Sequence, residues 1–254
     1  MQLLGIIGYP LSHSFSKKYF TEKFDKEKIK NYSFQNFELT AITQLPNILI
    51  KHPNLIGFAI TIPYKQTIIP YLHCVAKNVQ AMQACNCVKI VQGKLYGFNT
   101  DVVGFQKSLQ PLLQKHHTKA LILGTGGASQ AVAYVLKQLN IQFLFVTRNK
   151  LLQENQIPYN SLNESIIQEH LLIINASPVG TFPNVTEAPE IPYQFLTSNH
   201  YCFDLVYNPP LTMFLSLAQQ QKAIIKNGFD MLAIQAEENW KIWNDTTATN
   251  ESLL

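Results

Sequence analysis

Acidic side chains are scarce through the middle of this chain: between Glu38 and Glu154 the only carboxylate is Asp101. Arginine is scarcer still and occurs once, at Arg148. Charged residues make up 14% of the 254 residues, against about a quarter in an ordinary soluble domain, so each charge that is present stands out. The four cysteines, Cys74, Cys85, Cys87 and Cys202, are too few and too irregular for a disulfide framework. Cys85-Asn86-Cys87 is a C-x-C with no His or Cys partner at zinc spacing. They read as buried free thiols in a reducing, cytoplasmic setting. No apolar run reaches the ~18 residues that a membrane span needs. Residues 1–8 lack a basic leader and a small-residue cleavage site, so they are expected to form a first strand rather than a signal peptide.

What is present suffices for a core: 46% hydrophobic and 11% aromatic residues, over a length suited to one large domain or two smaller ones. The net charge of +4 hides an asymmetry. Residues 39–153 hold eleven Lys and Arg (positions 51, 65, 77, 89, 94, 107, 115, 119, 137, 148 and 150) against Asp101 alone. They are scattered singly, without clusters or interleaved aromatics. That spread suits small anionic ligands drawn to a cleft better than nucleic acid; a solvated basic face is the plainer alternative.

Strand and helix patterns alternate, which implies an α/β class. Strands are expected at 3–8, 32–39 and 55–61, with a helix at 17–24 capped by the serines before it. Residues 66–82 suggest a helix interrupted at Pro70, and 84–91 with 94–98 a hairpin around Gln92-Gly93. Residues 120–146 read as a compact βαβ unit. Further strands are expected at 171–175 and 201–205, helices at 211–221 and 231–243, and a frayed end at 244–254. The seam between domains is expected near 102–118, where Gly104, Pro111 and His116-His117 break the pattern.

Two isolated charges carry the first chemical signal. Lys65 is the only charge between Lys51 and Lys77 and follows the apolar stretch Gly57–Tyr64; Asp101 is the lone acid already noted. A Lys–Asp pair in a cleft is a proton-transfer device, and a structural ion pair is the competing reading. The second signal is Gly124-Thr125-Gly126-Gly127, which follows a strand and opens a helix. Glycines there admit a tight turn and the close approach of a pyrophosphate to backbone N–H groups, though a plain tight βα turn would look the same. After the next strand, where NAD-binding folds place an acid on the ribose, the chain reads Thr147-Arg148-Asn149-Lys150. An arginine fork with a lysine nearby suits the 2′-phosphate of NADP; an ordinary exposed arginine is the alternative.

Taken together, the strings resemble the shikimate dehydrogenases over nearly the whole length. They are His13-Ser14-Phe15-Ser16, Thr61-Ile62-Pro63-Tyr64-Lys65, Asn86 within Ala84–Val88, and Asn99-Thr100-Asp101 with Gly104. In the second half they are Gly124–Ala128, Asn175–Gly180, Asp204–Pro209, and Asn227–Leu232 with Gln235-Ala236. The resemblance implies two domains. Residues 1–102 plus 231–254 would form an α/β substrate domain with a mixed sheet, and 103–230 a Rossmann-like NADP-binding domain. It implies reversible NADPH-dependent reduction of 3-dehydroshikimate to shikimate, without a metal, by a monomer or homodimer. Lys65 and Asp101 would be catalytic, Asp101 orienting Lys65. Ser14 and Ser16 would hold the substrate carboxylate, and Thr61, Asn86 and Gln235 its hydroxyls, with Tyr207 close by. Gly124, Gly126, Gly127, Ala128, Thr147, Arg148, Lys150, Gly228 and Met231 would bind NADP(H). The chain departs from the family pattern at Lys17, Tyr19-Phe20, Ala59, Cys87, and the Thr147 and Asn149 that flank Arg148. The alternatives are a quinate/shikimate dehydrogenase using NAD, and a catalytically silent cofactor-binding paralogue. The scarcity of acids gives a further expectation: a cleft for two anions admits one carboxylate, Asp101, only where chemistry needs it.

Overall fold

The computed structural model describes residues 1–11, 14–149 and 151–245. It forms two compact units, Met1–Thr100 with the chain from Gln235 onward, and Asp101–Ile234.

The first unit runs β1 (Gln2–Gly8), α1 (Phe15–Lys26), β2 (Tyr32–Glu38), α2 (Leu45–Lys51), β3 (Leu55–Ile60), β4 (Cys74–Val75), α3 (Lys77–Met82), β5 (Cys87–Val91) and β6 (Lys94–Phe98). Its six-stranded sheet has the order β2-β1-β3-β5-β6-β4. β1 pairs parallel with β2 and β3, and β5 pairs antiparallel with β3 and β6. β1 lies inside the sheet, and all but its first residue are buried, as expected of a strand covered on both faces. The β5–β6 hairpin turns on Gln92 (φ 51°) and Gly93 (φ 75°), the two left-handed residues of a two-residue loop. One face of the sheet packs a cluster around Phe20, Phe34 and Trp243, in which the rings of Phe20 and Phe34 stack at 4.8 Å.

The second unit contains α4 (Asp101–Leu109), β7 (Lys119–Leu123), α5 (Gly127–Gln138), β8 (Gln142–Thr147), β9 (Gln156–Pro158), α6 (Glu164–Glu169), β10 (Leu172–Asn175), β11 (Tyr201–Asp204), α7 (Met213–Gln220) and β12 (Ile224–Lys226). The last helix, α8 (Phe229–Asn244), starts in this unit and ends in the first. All six strands are parallel in the order β12-β11-β10-β7-β8-β9. Counted from β7, that is the 3-2-1-4-5-6 order of doubly wound dinucleotide folds, whose switch point lies between the first and fourth strands, here β7 and β10.

Several expectations are corrected. α1 begins at Phe15, so Ser16 lies inside its first turn, and Ser14 occupies the N-cap position without a side-chain capping bond. Residues 66–82 are not one interrupted helix: a 3-10 turn at Ile69–Tyr71 is followed by β4, and only Lys77–Met82 is α-helical. Pro70 cannot supply an interior helical N–H, and Cys74–Val75 find partners on β6 instead. The expected seam at 102–118 contains a helix, α4, that runs through Gly104. Gly104 is buried and α4 packs against α5, so close packing outweighs the glycine's helix cost of about 1 kcal/mol. Most of the segment expected to fray, 246–254, lies outside the described residues.

Candidate active site

In the first unit the turn from Thr61 to Lys65 is held by the backbone around it. Thr61 N–H donates to the Ile7 carbonyl at 2.9 Å, and the Lys65 carbonyl accepts from Cys85 N–H at 2.7 Å. The buried Tyr64 hydroxyl donates to the Leu39 carbonyl. These bonds fix the backbone of the half-buried Lys65 five residues after β3 ends, against Cys85, which lies two residues before β5 begins. Between Cys85 and Cys87, Asn86 is 2% exposed. Its Nδ2 donates to Thr100 Oγ1 at 3.1 Å and to Gln235 Oε1 at 3.0 Å. Its Oδ1 accepts from Thr100 N–H at 2.7 Å. Two residues expected to meet the substrate, Asn86 and Gln235, are therefore in direct contact. Asp101, 2% exposed, opens α4 immediately after Thr100. Ser14 Oγ is buried with no hydrogen-bond partner among the described residues. Ser16 is half-buried one position into α1.

In the second unit a cavity of about 440 Å³ opens at the carboxyl ends of β7, β8 and β10, where open α/β sheets take their ligands. Gly124 leaves β7 at φ 108°, and a Cβ there would lie 3.4 Å from the Ala176 backbone. Gly126 is the N-cap of α5 and supplies no side-chain cap; a Cβ added to it would meet nothing within 4 Å. The first turn of α5, beginning at Gly127 and Ala128, thus starts beside open space, and a helix N-terminus with no side-chain cap is a ready site for a pyrophosphate. Thr147 is buried, and its Oγ1 accepts from Asn149 N–H at 3.1 Å. Exposed Arg148 and the partly buried Tyr159 line the same cavity. Burial raises the Tyr159 hydroxyl pKa, the Arg148 charge lowers it and Glu190 raises it. Lys150, expected to bind cofactor, lies outside the described residues.

The loop after β10 forms the wall opposite the glycine turn. Asn175 is fully buried, accepts from Ser177 N–H at 3.1 Å and from Ser177 Oγ at 2.6 Å, and donates to Asp204 Oδ1 at 3.0 Å. Asp204 also accepts from Thr212 Oγ1 at 2.6 Å and from Val206 N–H at 2.9 Å. Burial pushes its carboxyl up to about 7, and these three donors only partly oppose the shift. The turn that Val206 begins carries Tyr207, whose hydroxyl burial also raises. Gly228 N–H donates to the Val206 carbonyl at 3.2 Å, and Met231 is buried in the first turn of α8.

The structure thus groups the expected substrate residues Asn86 and Gln235, and separately the glycine turn with Thr147 and Arg148. One expectation fails. Glu187 and Glu190 line the cavity at the glycine turn, so Asp101 is not the only carboxylate admitted. Residues not foreseen from the sequence include Tyr159, Glu187, Glu190 and Asn239. Asn239 has one available signal, its position four residues after Gln235.

Residues 6–88 match the family model described as the shikimate dehydrogenase substrate binding domain. A shikimate dehydrogenase (NADP(+)) of Methanococcus maripaludis is 35% identical over 95% of this chain and 91% of its own length. Among solved structures, shikimate dehydrogenase 1 from Peptoclostridium difficile superposes with a TM-score of 0.84 at 31% identity, covering 100% of this chain and 95% of that one. Shikimate 5-dehydrogenase from Thermus thermophilus, solved in complex with NADP(H) and shikimate, superposes with a TM-score of 0.84 at 27% identity, over 96% of this chain and 94% of its own.

Proposed function

The chain belongs to the shikimate dehydrogenase family, and we propose that it performs the family's reaction with Lys65 and Asp101 as the proton-transfer residues. The reaction is the reversible, NADPH-dependent reduction of 3-dehydroshikimate to shikimate, a step in the synthesis of aromatic amino acids. Bound NADPH supplies the hydride that reaches the C3 carbonyl carbon. As the C=O π bond breaks, the Lys65 ammonium gives its proton to the developing alkoxide, and solvent reprotonates the amine. Asp101 is the accompanying carboxylate, able to accept from a substrate hydroxyl. Ser14 and Ser16 donate to the substrate carboxylate, and Thr61, Asn86, Gln235 and Tyr207 meet the ring hydroxyls. A site built from so many neutral donors and acceptors discriminates against analogues that lack those hydroxyls. The helix α5 N-terminus takes the pyrophosphate and Arg148 the 2′-phosphate.

The observation that carries this reading is the Thr61–Lys65 turn, held by backbone bonds beside the Asn86 carboxamide. Proton transfer needs its donor fixed within hydrogen-bond reach of the reacting oxygen. Lys65→Ala is expected to lower kcat with shikimate and NADP by about 10²–10⁴-fold, while the dissociation constant for shikimate changes by only a few fold. A variant that keeps near-normal kcat refutes the role. All four cysteines are free, which supports a reducing, cytoplasmic compartment. Among the described residues no helix is long and apolar enough to cross a membrane.

A further inference from the structure

Asn239 is 4% exposed on α8, one helical turn beyond Gln235 and on the same face. An apolar residue would occupy that depth at lower cost than a carboxamide, which must find hydrogen bonds when buried. Its Oδ1 takes one: Thr100 Oγ1 donates to it at 2.7 Å. A hydroxyl has a single hydrogen. The other acceptor within reach of Thr100 Oγ1 is Asn86 Oδ1, at the longer distance of 3.2 Å. With the hydrogen committed to Asn239, the Oγ1 lone pairs are left for Asn86 Nδ2, which donates to them at 3.1 Å.

That commitment decides which way round two carboxamides sit. Asn86 turns its nitrogen to Thr100 Oγ1 and Gln235 Oε1, and its oxygen to Thr100 N–H. Gln235 in turn has its oxygen engaged by Asn86, which makes its amide nitrogen the donor end. Thr100, held through both its N–H and its hydroxyl, is the residue that leads directly into Asp101. We propose that Asn239 is a positioning residue for the reaction: by accepting the Thr100 hydroxyl it sets the polarity of the Asn86–Gln235 pair and the backbone entering Asp101. This rests on the roles given above for Asn86, Gln235 and Asp101.

Asn239→Ala preserves helix propensity and deletes the acceptor; Asn239→Asp keeps an acceptor oxygen; Thr100→Val removes the hydroxyl at nearly constant shape. Steady-state kinetics should show kcat/KM for shikimate falling about tenfold or more in Asn239→Ala, since small misplacements of reacting groups carry losses of this size. KM for NADP should stay within about twofold, and Asn239→Asp should recover part of the loss. The double variant Thr100→Val/Asn239→Ala should lose no more than the worse single one. Shikimate kinetics within twofold of wild type in Asn239→Ala, or strictly additive losses, overturn the proposal, as does an equal rise in KM for NADP. A wild-type protein inactive on shikimate would sink the functional reading instead. A thermal-unfolding cycle on the same variants then judges the network alone, and absence of coupling would overturn it.

Discussion

Gly228→Ala tests how closely the start of α8 approaches the end of β11. A Cβ at residue 228 would lie 2.2 Å from the Leu205 carbonyl oxygen, 2.7 Å from its carbonyl carbon and 3.1 Å from its Cα. Ordinary carbon contacts begin near ~3.5 Å, so a displacement of more than ~1 Å is required, and every obstructing atom is backbone. The backbone has little freedom to yield. Leu205 N–H donates to Asn175 at 2.9 Å, and Gly228 N–H donates to Val206 at 3.2 Å. Overpacking typically costs about 1–3 kcal/mol, and the absence of any flexible side chain among the clashing atoms places this substitution at the upper end. At about 2–4 °C per kcal/mol for a chain of this size, the midpoint of thermal unfolding should fall by roughly 6–12 °C. The same displacement moves the turn carrying Tyr207 and the first turn of α8 carrying Met231, so KM for NADP should rise as well. Gly126→Ala is the contrasting case. Its new Cβ meets nothing within 4 Å, so stability should change by less than about 1 kcal/mol, the poorer Ala cap being offset by the stiffer unfolded chain, while KM for NADP rises, because the methyl occupies the approach of the pyrophosphate. Differential scanning calorimetry with steady-state kinetics reads both effects. A Gly228→Ala midpoint within about 1 °C of wild type, or equal destabilisation by the two substitutions, would refute the close-approach reasoning.

Arg148→Ala should raise KM for NADP by roughly tenfold, the low end of what hydrogen bonds to charged groups contribute at an exposed position, and leave KM for NAD within about twofold. Equal losses for both cofactors would remove the 2′-phosphate assignment. Asp204, held near 7 in the fold by burial, loses its proton in the unfolded chain near the ordinary carboxylate value of about 4. As pH rises between those values the unfolded chain ionises first, so stability is fully present below about pH 4 and is lost up to about pH 7. Asp204→Asn should therefore gain on wild type by on the order of 2 kcal/mol between pH 5 and pH 7.5. Urea unfolding at the two pH values checks this, and a difference that does not vary with pH contradicts it.

The elements legible in the sequence were those with strong local punctuation. The βαβ unit from Lys119 to Thr147 declares itself by an apolar strand, a glycine turn and a second apolar strand, and the hairpin by Gln92-Gly93. What escaped were short pieces that exist because a neighbour is present. β4, β9 and β12 are two or three residues each, too short to carry a period and held by β6, β8 and β11. α4 is hidden by Gly104, which reads as a break, while the packing of α4 against α5 is written in no local pattern. The same division holds at the candidate site. Lys65 and Asp101 were visible because isolated charges in apolar surroundings are conspicuous. Asn239 carries only one weak signal, its place four residues after Gln235, and an Asn between Glu238 and Trp240 otherwise reads as an exposed helix face. Its 4% exposure comes from packing that no local pattern encodes.

The acid count misled for a related reason. A window of sequence with one carboxylate describes a stretch of chain, whereas a cavity in a doubly wound sheet is assembled from loops that all open at one edge. The loop after β10 therefore brings Glu187 and Glu190 to the cavity that already holds Arg148, and Tyr159 senses Arg148 and Glu190 in opposite directions. With two carboxylates beside one guanidinium, selection of a 2′-phosphate there cannot rest on a net positive field. Under the role proposed for Arg148, selection would rest on the short-range match of its fork to phosphate oxygens, while the exposed glutamates are screened over roughly 8–10 Å by ordinary salt. On the proposed assignment, cofactor choice would then depend on the geometry of Arg148, and the scattered lysines of residues 39–153 would aid the approach of anions rather than discriminate between them.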